Sequence, residues 1–428
     1  MSNFKIALTA AFGIAIVIAV IIFALSKASS SSQTANLVVW GEVPQQVFDT
    51  AYKNSSLASN KQVIVSYVQK SPDTFDADLV NALADGIGPD VVIIREDSLY
   101  KNRNRLFVIP YASYPELTFK NTFIQEGEMF LSAQGVVALP FTVDPMVMYW
   151  NRDVFNSNAV AQPPKYWDDI YPLVPKMTKT DSSGSILKST VALGEWDNIV
   201  NAKEIVSNLL LQAGTPITSR TSLGVQSVLN LQFNYPIPPS QSAVNFYTQF
   251  SNPTSPEYSW NRSLPDSLTA FLSGNSAMYL GFASEISRIQ QKNPNLNFDV
   301  TYMPQIRNAP TKIVFGHMYA LAIIKSSKQI APAFTAAVAL TEPSALTAIL
   351  PITNLPPVRR DMLSTPPTDP FQTIFYSSAL VSRSWIDPDP QASSQTFRDM
   401  IENITSGKAR PSDALTRADQ ELTAELAK

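Results

Sequence analysis

With 428 residues, 45% of them hydrophobic and 16% charged, the chain is long enough for two compact units and too apolar for wholesale disorder. A formal charge of −3 without any long Lys or Arg run excludes the basic footprint that binding to nucleic acid requires. The absence of cysteine excludes disulfides, thiolate metal sites, cysteine nucleophiles and lipid attachment through an N-terminal cysteine.

Residues 1–5, with Lys5, read as a cytoplasmic N-terminus. Residues 6–25 carry no charge, and about 20 residues at ~1.5 Å each match the hydrocarbon thickness of a bilayer. They read as a transmembrane anchor. A cleaved signal peptide is the alternative, because Ser26-Lys27-Ala28 supplies small residues for cleavage, although the apolar core of such a peptide is usually only about 7–15 residues. Residues 26–36, mostly Ser, Thr, Ala and Gln, read as a flexible tether. The folded body then lies outside the cytoplasm at the cell membrane.

From Leu37 the pattern changes to short β-branched runs at 37–40, 62–67 and 90–94, separated by helical spacing at 44–53 and 75–84. Strand, helix, strand, helix, strand predicts an α/β lobe with parallel strands. Ligands of such sheets sit beyond the carboxyl ends of the strands, which here carry Trp40-Gly41-Glu42 and Arg95-Glu96-Asp97-Ser98. No Gly-rich fingerprint follows the first strand, and the chain has only 14 glycines. A dinucleotide or P-loop phosphate cradle is therefore not expected, nor any other cofactor.

Residues 134–139 and 146–149 predict strands on either side of Pro140-Phe141-Thr142-Val143-Asp144-Pro145, a segment stiffened by proline at both ends and suited to carrying the chain between lobes. Pro172 and Pro175 should break a helix over 163–179, and the Pro-rich region 232–265 reads as long loops around short helices. A helix over 267–272 and a strand over 277–280 follow. Pro411 opens a last helix whose Leu415, Ala418, Leu422 and Leu426 share one apolar face.

Several segments together resemble the extracellular solute-binding proteins of ABC importers, the family of maltose-binding protein and other sugar receptors. The first is Leu37-Val38-Val39-Trp40-Gly41 with Gly88-Pro89-Asp90-Val91-Val92-Ile93-Ile94. More specific is the ordered set Gly135-Val136-Val137-Ala138-Leu139-Pro140-Phe141, Met148-Tyr149-Trp150-Asn151-Arg152-Asp153 and Pro163-Pro164-Lys165-Tyr166-Trp167-Asp168-Asp169. Ala270-Phe271-Leu272-Ser273-Gly274-Asn275-Ser276-Ala277-Met278, the stretch 322–328 and Ser406-Gly407-Lys408-Ala409-Arg410-Pro411 extend the likeness over nearly everything after the tether. Departures are the missing lipid-attachment cysteine, the prolines at 172 and 175, and Gly316-His317-Met318 in place of a more glycine-rich turn.

The resemblance implies a two-lobed periplasmic-binding-protein-like α/β fold, with lobe I at 37–142 plus about 318–360 and lobe II at 143–317 plus about 361–428. It also implies a small-molecule solute, in particular a neutral sugar, bound between lobes that close by hinge bending, and an ABC permease and ATPase as partners. Sugars are held by flat aromatic faces and planar polar groups. The candidate contacts are Trp40, Glu42, Asp97, Ser98, Asp144, Glu195, Trp196, Ser284 and Trp385. Ser284 stands where the family commonly has a stacking tryptophan, and Trp385 could supply the missing platform or merely pin its loop. His317 reads as a turn residue. As an enzyme the chain is poorly equipped, though Asp144, Glu195 and Asp97 could in principle form a glycosidase pair. A sensory receptor differs from an importer component only in its partner.

Overall fold

The computed structural model describes residues 34–428 apart from Leu223. The apolar run 6–25 and most of the tether lie outside the described residues. Strand β1 (Ala35–Gly41) begins within the expected tether. Helix α1 (Gln45–Asn54) follows it and buries Val47, Phe48 and Ala51 on one face. Strand β2 (Val63–Gln69), helix α2 (Phe75–Ala84) and strand β3 (Val91–Arg95) complete the predicted unit. Both β2 and β3 run parallel to β1.

The two strands expected around the double-proline segment are instead one, β4 (Ala138–Asn151). Proline survives inside it because residues 138–145 form a sheet edge, paired only with β11 (Val314–Ile323) through an irregular register near Pro140. Edges and bulges are where a missing backbone donor costs least. Past Pro145 the strand changes neighbours and pairs with β9 (Ser276–Phe282) and β10 (Phe298–Thr301). Between these come β5 (Lys179–Thr180), β6 (Ile186–Val191), α3 (Ala202–Gln212), the hairpin β7 (Thr218–Thr221) and β8 (Gly224–Ser227), and α4 (Pro239–Thr248). The helix expected over 163–179 is broken, as a 3-10 turn containing Pro172 followed by four α-helical residues.

After β11 the chain forms α5 (Ile330–Leu340), α6 (Pro343–Thr353), α7 (Pro370–Leu380), β12 (Ser382–Arg383), α8 (Pro390–Thr405) and α9 (Pro411–Leu426). The sheet order is β2-β1-β3-β11-β4-β9-β6-β5, with β10 on β4 and β12 on β11. Two large apolar cores flank this path. One joins Leu37 through Val143 to residues from Met318 through Leu363, and the other joins Met146 through Phe315 to residues from Trp385 through Leu422. Strands β4 and β11 run through both, so the cores meet where Asp144 and Pro145 face His317 and Gly316.

Candidate ligand cleft between the two cores

At the carboxyl end of β3, Arg95 Nε donates to both oxygens of Asp97 at 3.0 Å, and Nη2 approaches Oδ2 at 2.5 Å. Burial alone would raise the Asp97 carboxyl, but Arg95, Lys203 and His317 hold it below the usual carboxylate range. Across the seam, α3 presents Lys203, whose ammonium donates to Asp387 at 2.6 Å and to the Pro390 carbonyl at 3.1 Å. Burial pushes the Asp387 carboxyl up to about 6 against the pull of Lys203.

His317 sits at the centre of the seam. Its Nδ1 lies 2.7 Å from Glu96 Oε1 and its Nε2 lies 3.6 Å from Glu204 Oε1, so one ring joins a carboxylate of each core. The ring stacks on Phe282 with centroids 4.7 Å apart. Burial would lower its pKa, but the carboxylates around it outweigh that and raise it to about 10, so the imidazolium is the resting form at neutral pH. The turn reading of His317 is corrected: the residue lies mid-strand on β11, and a sequence has no local signal for carboxylates that arrive from distant elements.

Two adjoining cavities of about 600 and 610 Å³ open along this seam and share Arg95, Pro390 and Gln391. The first is lined by Trp196, Asn201, Lys203, Glu204, Ser394 and Arg398, the second by Glu42, Asp76, Ser98 and Lys101. Burial, then Asp97 and Asp76, raises the Glu42 carboxyl against Arg95 and a hydrogen bond from Tyr319. Lys101 bridges Asp76 at 2.8 Å and Asp389 at 2.9 Å, and the Tyr100 hydroxyl donates to the Leu426 carbonyl at 2.9 Å, so the two cores are in contact along this rim.

Of the sequence candidates, the structure brings Glu42, Asp97, Ser98 and Trp196 to this seam. Asp144 and Ser284 meet one another below it, with the Ser284 N–H donating to Asp144 Oδ1 at 3.0 Å, and burial pushes the Asp144 carboxyl up to about 6. Glu195 turns to Arg262 at 2.7 Å. Trp40 lies under the Lys70 ammonium, 3.8 Å from its ring centroid. Trp385 is 5% exposed, stacks on Phe397 and donates to Ser207. It also lines a third cavity of about 630 Å³, with Met129, Leu131, Arg220 and Arg383. Arg95, already placed at a strand end by the sequence, is joined in this lining by Lys203, Glu204, Gln391 and Arg398, which were not among the candidates. The Asp389-Pro390 helix start was a usable signal for Gln391, since it sets the first turn of α8, where Asp389 caps the N–H groups of Gln391 and Ala392.

The seam is what one chain offers a small molecule: two cores, a polar cleft between them, and few crossing strands. The sequence model of the bacterial extracellular solute-binding proteins matches residues 52–373. The chain belongs to that family. Among curated proteins nothing matches this solute-binding protein in sequence. Among solved structures it resembles a cyclo/maltodextrin-binding protein complexed with maltotetraose, at 17% identity and TM-score 0.72 over 92% of this chain and 98% of that one. It also resembles the sugar-binding protein MalE of Xanthomonas citri, at 16% identity and TM-score 0.71 over 92% and 98%. A third is an ABC transporter solute-binding protein of Thermotoga lettingae bound with α-D-tagatose, at 18% and 0.65 over 92% and 100%. At these identities the likeness is one of fold, and it covers both lobes of this solute-binding protein.

Proposed function

We propose that the chain is the sugar-binding component of an ABC importer. It would take a carbohydrate between lobe I (37–142 with about 318–360) and lobe II (143–317 with about 361–428), close by hinge bending and deliver the ligand to a membrane permease without chemical change. The observation that carries the reading is the seam itself, with Glu42, Arg95 and Ser98 on one core facing Trp196, Lys203 and Gln391 on the other. Planar and charged donors and acceptors suit hydroxyl groups, and one aromatic face suits a sugar ring. In this reading residues 6–25 hold the body at the outer face of the membrane. Among the described residues no single helix is long and apolar enough to cross one.

The test is a thermal-shift and calorimetric screen against mono- and oligosaccharides, since a ligand that binds only the folded state raises its melting temperature. A rise with one sugar, with that sugar recovered intact, supports the receptor. No rise with any sugar, or recovery of a cleaved product, overturns it. With a ligand in hand, Trp196→Ala is expected to weaken binding about tenfold to a hundredfold, which is ~1.4–2.8 kcal/mol, while the variant stays folded with a lower unfolding midpoint in urea, since Trp196 packs half-buried on the second core. Equal affinity in the variant would remove Trp196 from the site.

A further inference from the structure

Seven consecutive residues of the second lobe, 231–237, are all exposed, and four of them are large and apolar. Leu231 is 50% exposed, Phe233 38%, Tyr235 60% and Ile237 44%. Elsewhere among the described residues, exposed large apolar side chains stand singly or in pairs along the chain. Composition sharpens the contrast, because residues 221–256 contain no Asp, Glu, Lys, Arg or His. Contiguous exposed apolar surface marks a contact with something other than water.

The tip is presented by a firm base. Leu229 is fully buried, its N–H donates to Asp419 at 3.1 Å, the Ser227 hydroxyl donates to the same carboxylate at 2.5 Å, and Asn230 donates to the Thr416 hydroxyl at 3.1 Å. On the other side Pro239 opens α4. At the turn, Phe233 and Asn234 both hold positive φ, 48° and 68°, a conformation that a residue with a large side chain rarely takes. The local fold therefore spends backbone strain in keeping an aromatic ring at the tip rather than in the core.

We propose that residues 231–237 form a shallow lipid contact, entering the headgroup level of the bilayer to which the chain is anchored. The inference rests on the anchoring by residues 6–25 proposed above. The nine residues 26–34 reach at most about 30 Å when fully extended, about half the diameter expected for a body of this length, so the tether keeps the body against the bilayer at high effective concentration. Under that condition four side chains suffice, whereas a specific protein interface needs about 800 Å² from each partner and draws on charge for orientation. This tip supplies neither. Tyrosine and phenylalanine flanked by aliphatic side chains, with Gln232 and Asn234 to meet headgroups, match the interfacial zone of a membrane.

The chain has no cysteine, so a thiol-reactive environment-sensitive fluorophore can be placed singly at Phe233→Cys, at Tyr235→Cys and, as a control on the first lobe, at Ile87→Cys, where the native side chain is 74% exposed. The full chain is reconstituted into phosphatidylcholine and phosphatidylglycerol vesicles and separated by flotation. At 233 and 235 the expected result is a blue-shifted emission, quenched at least twofold more than at 87 by lipid spin-labelled near the headgroup. A chain that floats while both loop positions behave like 87 overturns the lipid contact and leaves the anchor standing. A chain that does not float overturns the anchor and this inference with it.

Discussion

Replacing His317 by alanine is expected to destabilise the protein by about 3–5 kcal/mol at neutral pH, because it removes the cation in contact with two buried carboxylates. Glu96 is 1% exposed and keeps the Met318 N–H at 2.8 Å, a long 3.4 Å contact with Ser384 and the more distant charge of Arg95, and Glu204 loses the cation at 3.6 Å from it and keeps that of Lys203. The same contact predicts a pH dependence of the parent protein. The folded-state pKa, about 10, lies above the ordinary 6.5, so the folded chain holds this proton more tightly than the unfolded one. Its stabilisation is complete below about pH 6.5 and is lost as pH rises through about 10. Urea unfolding at intervals from pH 6 to 10 checks both statements. The parent should lose several kcal/mol across that window, and the variant should be less stable at the start and lose clearly less than the parent, keeping only the part due to other buried groups such as Glu126. A parent whose stability does not change between pH 7 and 10 would show that the imidazolium is not what holds the two carboxylates together.

Much of this architecture was legible from periodicity. The unit from β1 to β3, the broken helix around Pro172 and the apolar face of α9 follow from local spacing and from proline, which act within a few residues. What failed was non-local. Pro140 and Pro145 read as strand breakers, yet β4 runs through them because one half of it is an edge, and edge status belongs to the assembled sheet. The cleft shows the same division. Asp97 and Ser98 could be placed at the seam from sequence because they follow a strand end in an open sheet, whereas Lys203 and Glu204 lie in the first turn of an internal helix, and His317 lies in a strand whose partners arrive from more than a hundred residues away. Glu195, Trp40 and Trp385 each make a local contact, with Arg262, with Lys70 and with Phe397, that no sequence spacing announces.

Glu126→Gln is expected to stabilise the protein at alkaline pH. This carboxyl is 3% exposed, accepts a hydrogen bond from Ser382 through Oε2, and has no partner at Oε1. It presses on β11 where Gly316 leaves room, since a Cβ there would lie 3.1 Å from Oε2. The charged groups facing it are Glu96, His317 and Arg383, and burial, with Glu96, pushes its pKa up to about 8 from 4.5 against the other two and Ser382. The folded state therefore keeps a proton that the unfolded state releases, and the contribution present below pH 4.5 is lost as pH rises through about 8. Glutamine removes that loss. Above pH 8 the variant should be more stable by on the order of 3 kcal/mol, and at pH 4.5 the two should agree. The window overlaps that of His317 between about pH 6.5 and 8, so each variant is compared with the parent to separate them, and parallel curves for parent and glutamine variant would place a water or a cation beside Oε1. Because Glu126 sits where the strands cross between the two cores, any opening that wets it favours its ionised form. Ligand closure should then take up a proton between pH 5 and 8, weakening affinity as pH rises, and the glutamine variant should lose that dependence above about pH 6, where Asp144 and Asp387 no longer titrate.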